Sequence, residues 1–146
     1  MTELPSLSDA QIAAHEAGHA LVAHLMGDEI KEIAMYTGEQ SAAVRPTTWP
    51  PSRPTLMAGV VAEFVLGFDL NPARAAQDMR NAADLPVVEA DPSPRAILIE
   101  HQAVLTSLGE WFRTARQNRS VIPGSDVHAF LRDQGCAFGS RRPPSG

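Results

Sequence analysis

The sequence predicts a mostly helical α+β domain, several helices with a small β-sheet. Three observations carry this. Helix-start devices recur before segments of helical apolar spacing, alternating segments are few and short, and no repeat or linker divides the chain. At 146 residues the chain is about one domain long and can bury a core. Residues 8–135 are expected to form that domain, with 1–7 an N-terminal tail and 136–146 a disordered C-terminal tail.

The first helix is expected from Asp9 to Met26. Ser8 and Gln11 fit a capping box, Leu7 and Ile12 fit the hydrophobic staple, and Gly27 is placed to stop the helix. "EIKEIAMYT" (29–37) alternates weakly and reads as a short strand; "SAAVR" (41–45) reads as a second. "PTTWPPSRP" (46–54) is a proline-rich loop that can continue neither element. The almost wholly apolar "TLMAGVVAEFVLG" (55–67) is expected to be a buried helix ending at Gly67, and Glu63 stands out inside it. Asn71 as N-cap and Pro72 at N1 open a helix over "NPARAAQDMRNAAD". Ser93 and Pro94 repeat the device before one long amphipathic helix reaching Asn118, and Ser125 caps a last helix, "DVHAFLRDQ".

Composition removes several function classes. A net charge of −5, a single lysine (Lys31) and scattered arginines argue against a general nucleic-acid binder. The lone Cys136 excludes an internal disulfide and a thiolate metal cluster, and reads as a small buried or tail-proximal thiol. No apolar run approaches the ~20 residues of a membrane span. The N-terminus has neither the basic nor the apolar region of a signal peptide. A cytoplasmic protein without direct membrane insertion is the expectation.

Chemistry concentrates in "AAHEAGHALVAHL" (13–25). His15 and His19 are four apart, so on a helix their imidazoles lie one above the other and converge on one point. Two ligands of a tetrahedral zinc require this, and Glu16 on the adjoining flank reaches a water without ligating the metal. His-Glu-x-x-His is for this reason the zinc-peptidase signature. A third protein ligand is still needed. His24 does not supply it: it lies about 140° around the helix from His19, and reads as a structural or surface histidine. Glu63 and Asp78 are the better candidates, and pattern does not choose between them. A buried glutamate needs a partner, which a metal-ligating imidazole would supply. His101 and His128 read as core-edge or surface residues rather than ligands, Trp111 and Phe112 as core residues, and the arginines at 113, 116 and 119 as a solvated stripe.

"HEAGHALVAHL" resembles the active-site helix of the FtsH-type AAA proteases. "MAGVVAEFVLG" resembles that family's glycine/alanine-rich helix, and "ARAAQDMRNAADL" the helix that follows it. "RSVIPGSDVHAFL" resembles its closing element. The four blocks keep the family's order over most of residues 8–135. The resemblance implies a helical zinc metallopeptidase domain with Asp78 as third ligand and Glu63 as a carboxylate that supports a ligand or packs between helices, Glu63 remaining the alternative ligand by pattern. It departs from the family at Gln77, at "NAAD", in "AGVVAEF", and in a substrate strand reduced to "SAAVR". The chain also has no phosphate-binding loop and no room for an ATPase domain. The implied function is a zinc-dependent metalloendopeptidase acting on flexible or unfolded polypeptides, some supplied by a separate ATPase or adaptor protein. Glu16 would activate a zinc-bound water and return its proton to the leaving amine. The alternative is a non-catalytic peptide- or partner-binding module that retains structural zinc.

Overall fold

The computed structural model describes residues 9–36, 41–69, 72–83, 85 and 91–143. In chain order the described elements are α1 (Asp9–Met26), β1 (Ile30–Tyr36), β2 (Ser41–Pro46), α2 (Arg53–Val65), α3 (Pro72–Ala83), α4 (Pro94–Glu100), α5 (Gln102–Arg116), β3 (Val121–Pro123) and α6 (Gly124–Asp133). The class is the one expected, mostly helical α+β.

The short side chains of α1 let it run through the middle of the molecule. Ile12 through Gly18 and Ala20 through Met26 are buried, with α2 and α5 packed along it. A Cβ at Gly18 would lie 2.4 Å from the Ala62 Cβ and 2.7 Å from the Ala58 carbonyl oxygen, so glycine is what lets α1 and α2 meet this closely. Around this contact the larger side chains Leu21, Leu25, Leu98, Leu105, Leu108 and Phe112 complete the core. Each such side chain stabilises the fold by about 1.5–3 kcal/mol relative to exposure.

The sheet is antiparallel in the order β2-β1-β3, with Ala34 opposite Ala43 and Ile33 opposite Ile122. That places β2 at an edge. The strand β3 was not expected: three residues are too few to display alternation, although Ile122 is buried between exposed neighbours. It also moves the start of α6. Pro123 occupies the N-cap and Ser125 lies inside the first turn without a capping bond, correcting the expected cap.

Three further boundaries differ. The helix expected from Thr55 starts at Arg53, with Ser52 at its N-cap. The single long amphipathic helix is two, bent at His101 (φ −107°, ψ 28°). The bend allows α4 to rest on α2 while α5 follows α1. The expected disordered tail is ordered through residue 143. Cys136 is buried, the Gly139 and Arg141 amides donate to the His24 and Leu25 carbonyls, and Arg141 pairs with Glu100. Leftover carbonyls at the end of a buried helix need donors, and this segment supplies them. The expectations at Leu7, Ser8 and Asn71, and the tail 1–7, lie outside the described residues.

Candidate metal centre and active site

α1 directs His15 and His19 to one point, and α3 brings Asp78 to meet them. The two Nε2 atoms are 3.1 Å apart; Asp78 Oδ2 lies 3.6 Å from His15 Nε2, and Oδ1 lies 3.5 Å from His19 Nε2. Ligands about 2.0–2.2 Å from a shared tetrahedral centre stand roughly 3.3–3.5 Å from each other. The observed spacings, 3.1, 3.5 and 3.6 Å, come within about 0.2 Å of that requirement.

What surrounds the rings determines their protons. His15 Nδ1 lies 2.7 Å from Glu63 Oε2, and His19 Nδ1 lies 2.7 Å from the Thr55 carbonyl oxygen. A carbonyl and an ionised carboxylate only accept, so both imidazoles carry their proton on Nδ1. Both Nε2 lone pairs then face the Asp78 carboxylate, leaving three acceptors without a donor among them. A cation fits this arrangement and a proton-sharing network does not. Burial raises the Asp78 carboxyl, but where no cation is held, a proton on the His15 or His19 Nε2 beside it outweighs that and holds it well below the usual carboxylate range. Asp78 is thus ionised at neutral pH.

Glu63 and Asp78, which sequence pattern could not rank, have different positions. Glu63 is fully buried behind His15, and its other oxygen accepts from Gln11 Nε2 at 2.8 Å. This is the carboxylate–imidazole pairing that orients metal-binding histidines. Asp78 faces the two Nε2 atoms directly. Glu16, also buried, accepts from the Val44 amide of β2 at 3.1 Å, a bond that aims its carboxylate. His15, Glu16, His19 and Asp78 line a cleft of about 250 Å³, whose other walls include Val44, the exposed Trp49, Pro51 and Asn81.

His24 is elsewhere, as its helical position required. It is wholly buried, bonded through Nδ1 to His128 Nδ1 at 2.7 Å and through Nε2 to the Cys136 carbonyl at 2.8 Å. His128, expected at the core edge or surface, is buried with it.

Several contributors escaped the sequence reading. Thr55 and Val44 act through backbone atoms, which no side-chain motif reports. Asp28 Oδ2 accepts from the Ser52 amide and hydroxyl and from the Thr55 hydroxyl, at 3.1, 2.6 and 2.6 Å. It thereby ties the proline-rich loop and the start of α2 to the end of α1, holding the Thr55 carbonyl against His19. Gly59 did leave a signal: a glycine inside a helix costs about 1 kcal/mol relative to alanine, so its place in the alanine-rich α2 calls for a reason. A Cβ there would lie 2.4 Å from His19 Nε2 and 2.5 Å from His15 Nε2. Glycine keeps the space in front of both rings open.

The family model described as Peptidase M50B-like matches residues 4–82, more than half of the chain. The chain belongs to the Peptidase M50B-like family. The matched stretch runs through α1, the β1–β2 hairpin, α2 and nearly all of α3, so it contains His15, Glu16, His19, Glu63 and Asp78. Membership makes this a metallopeptidase-family domain. It supports the sequence reading at that level, without extending to the FtsH-type assignment. No curated protein matches the chain. Among the described residues, no helix is long and apolar enough to cross a membrane.

Proposed function

We propose that this M50B-like domain is a zinc-dependent metalloendopeptidase, similar to the FtsH-type peptidase domain, that cleaves flexible or unfolded polypeptides. The observation that carries the proposal is the convergence of His15 Nε2, His19 Nε2 and the Asp78 carboxylate, with both Nδ1 protons committed elsewhere. Two imidazoles, one carboxylate and an open cleft suit zinc with a vacant position for reaction. When bound, the metal supplies Lewis-acid polarisation of a peptide carbonyl and of water.

The remaining steps belong to the chain. Glu16 takes a proton onto its carboxylate from the attacking water and delivers it to the departing amine nitrogen. The Val44 amide holds that carboxylate in place, while Glu63 and the Thr55 carbonyl hold the two rings. β2, an edge strand that lines the cleft, offers main-chain groups to an extended polypeptide. Folded substrates require a separate ATPase or adaptor to present them unfolded.

The test is metal content by elemental analysis beside cleavage of casein. Wild type is expected to hold one zinc per chain. Asp78→Ala should weaken zinc binding by more than the roughly 10–100-fold that losing an outer partner such as Glu63 costs. Zinc retained undiminished in Asp78→Ala would remove Asp78 from the ligand set. Stoichiometric zinc without cleavage would favour the non-catalytic binding module.

Gly59→Ala gives an independent check. Alanine suits a helix better than glycine, yet its methyl group would occupy the space before both Nε2 atoms. The variant is expected to fold with wild-type helicity and bind zinc at least about tenfold more weakly. Normal zinc affinity in titration against a chelator would show that the metal sits elsewhere.

A further inference from the structure

We propose that Asn81 is a substrate-binding residue, its side-chain amide donating to a main-chain carbonyl of the polypeptide two residues from the carbonyl to be attacked. The inference rests on the peptidase reading above and supplies the polar anchor which that reading lacks.

The polarity of the Asn81 amide follows from its neighbours. Arg80 Nη2 donates to Gln77 Oε1 at 2.9 Å, and a guanidinium has donors only. Gln77 is thereby fixed with its oxygen toward Arg80 and its Nε2 toward Asn81. That Nε2 donates to Asn81 Oδ1 at 2.9 Å. The oxygen of Asn81 is taken, and Nδ2, with two protons, is left. Among the described residues Nδ2 has no partner, although Asn81 lines the cleft and is partly buried.

Apart from the indole N–H of the exposed Trp49, the other polar side chains of the cleft are already engaged. His15, His19 and Asp78 form the convergent cluster, and Glu16 is held by Val44. The Thr55 hydroxyl donates to Asp28. Gln77 is the donor-acceptor link just described. A peptide arriving along β2 has carbonyls pointing alternately to its two sides, so those facing away from the strand need a donor on another element. α3 provides one. Asn81 follows Asp78 by three residues, about 4.5 Å along the helix axis, and an extended peptide advances about 3.3 Å per residue. With the reacting carbonyl turned toward Asp78, the carbonyl two residues along, about 6.6 Å away, turns to the same side and comes within reach of the Asn81 side chain.

The experiment uses the full chain with Glu16→Gln, so that substrate binds without being consumed, and fluorescein-labelled casein as probe. Asn81→Ala in this background should weaken casein binding about five- to tenfold, the effect of one hydrogen bond lost. Zinc content and thermal midpoint should be unchanged, because Asn81 is neither a ligand nor core. Asn81→Asp, which replaces the donor by an acceptor, should bind no better than Asn81→Ala. Gln77→Glu should weaken binding with Asn81 intact, since a carboxylate at 77 draws Nδ2 round to itself, and adding Asn81→Ala should cost little more. A merely structural role would not produce that non-additivity. If wild type cleaves casein and Asn81→Ala binds it normally, this inference falls and the peptidase reading stands. If the zinc-loaded wild type neither binds nor cleaves casein, both fall.

Discussion

Glu16→Gln is expected to leave the fold and the zinc in place and to lower cleavage at least a hundredfold. General acid–base catalysis contributes roughly 10²–10⁴-fold, and among the described residues no other carboxylate stands ready to replace it: Asp78 faces the two imidazoles, and Glu63 is engaged by His15 and Gln11. The fold survives because glutamine retains a side-chain oxygen for the Val44 amide, the bond that ties α1 to β2. The measurement is kcat on an unfolded protein substrate, with zinc stoichiometry and thermal midpoint determined on the same preparation. Residual activity within tenfold of wild type would exclude Glu16 as the base.

The second large effect is on stability in mild acid, and arises away from the cleft. The Ile30 amide donates to His128 Nε2 at 2.9 Å, so His128 carries its proton on Nδ1 and gives it to His24 Nδ1. His24 then carries its own on Nε2 and gives it to the Cys136 carbonyl. A second proton on either ring would set N–H against N–H. Burial, with His24 and the nearby Arg132 adding to it, pushes His128 down to about 4, and burial also lowers His24. An unfolded histidine titrates near 6.5, so between pH 6.5 and 4 the unfolded chain binds protons that the folded chain refuses. Stability is complete above about pH 6.5 and is lost as the pH falls toward 4. His128 alone accounts for roughly 3 kcal/mol. Urea unfolding of metal-free protein at pH 7 and pH 4.5 should show a large drop in midpoint. His128→Asn, less stable at pH 7, should show a much smaller one. Equal midpoints for wild type at the two pH values would disprove a neutral buried pair.

How much of this was legible beforehand depends on whether a feature is local. α1 and the start of α3 were readable because Gly27 and Pro72 punctuate the chain where the helices end and begin. His15, Glu16 and His19 declare themselves because one helical turn brings them together. Asp78 and Glu63 both arrive from other helices. Their roles differ only by which nitrogen of His15 each one faces, and no local pattern contains that. The resemblance to the FtsH-type domain favoured Asp78, and the geometry places it at the two Nε2 atoms. His24 and His128 stand 104 positions apart, so each taken alone looks like an ordinary helix residue. The bend at His101 follows from two different partner helices, and β3 exists because β1 offers it an edge. These are properties of the assembled molecule.

One contact also has a consequence in the order of synthesis. The last carbonyls of α1, at His24 and Leu25, accept from the amides of Gly139 and Arg141, and the His24 ring closes on Cys136. The helix bearing the His-Glu-x-x-His segment is therefore closed at its C-terminal end by residues made long after it, Cys136 following His24 by 112 positions. Until residues 136–141 have left the ribosome its C-terminal turn lacks these partners, and the growing chain carries the helix without its final clasp.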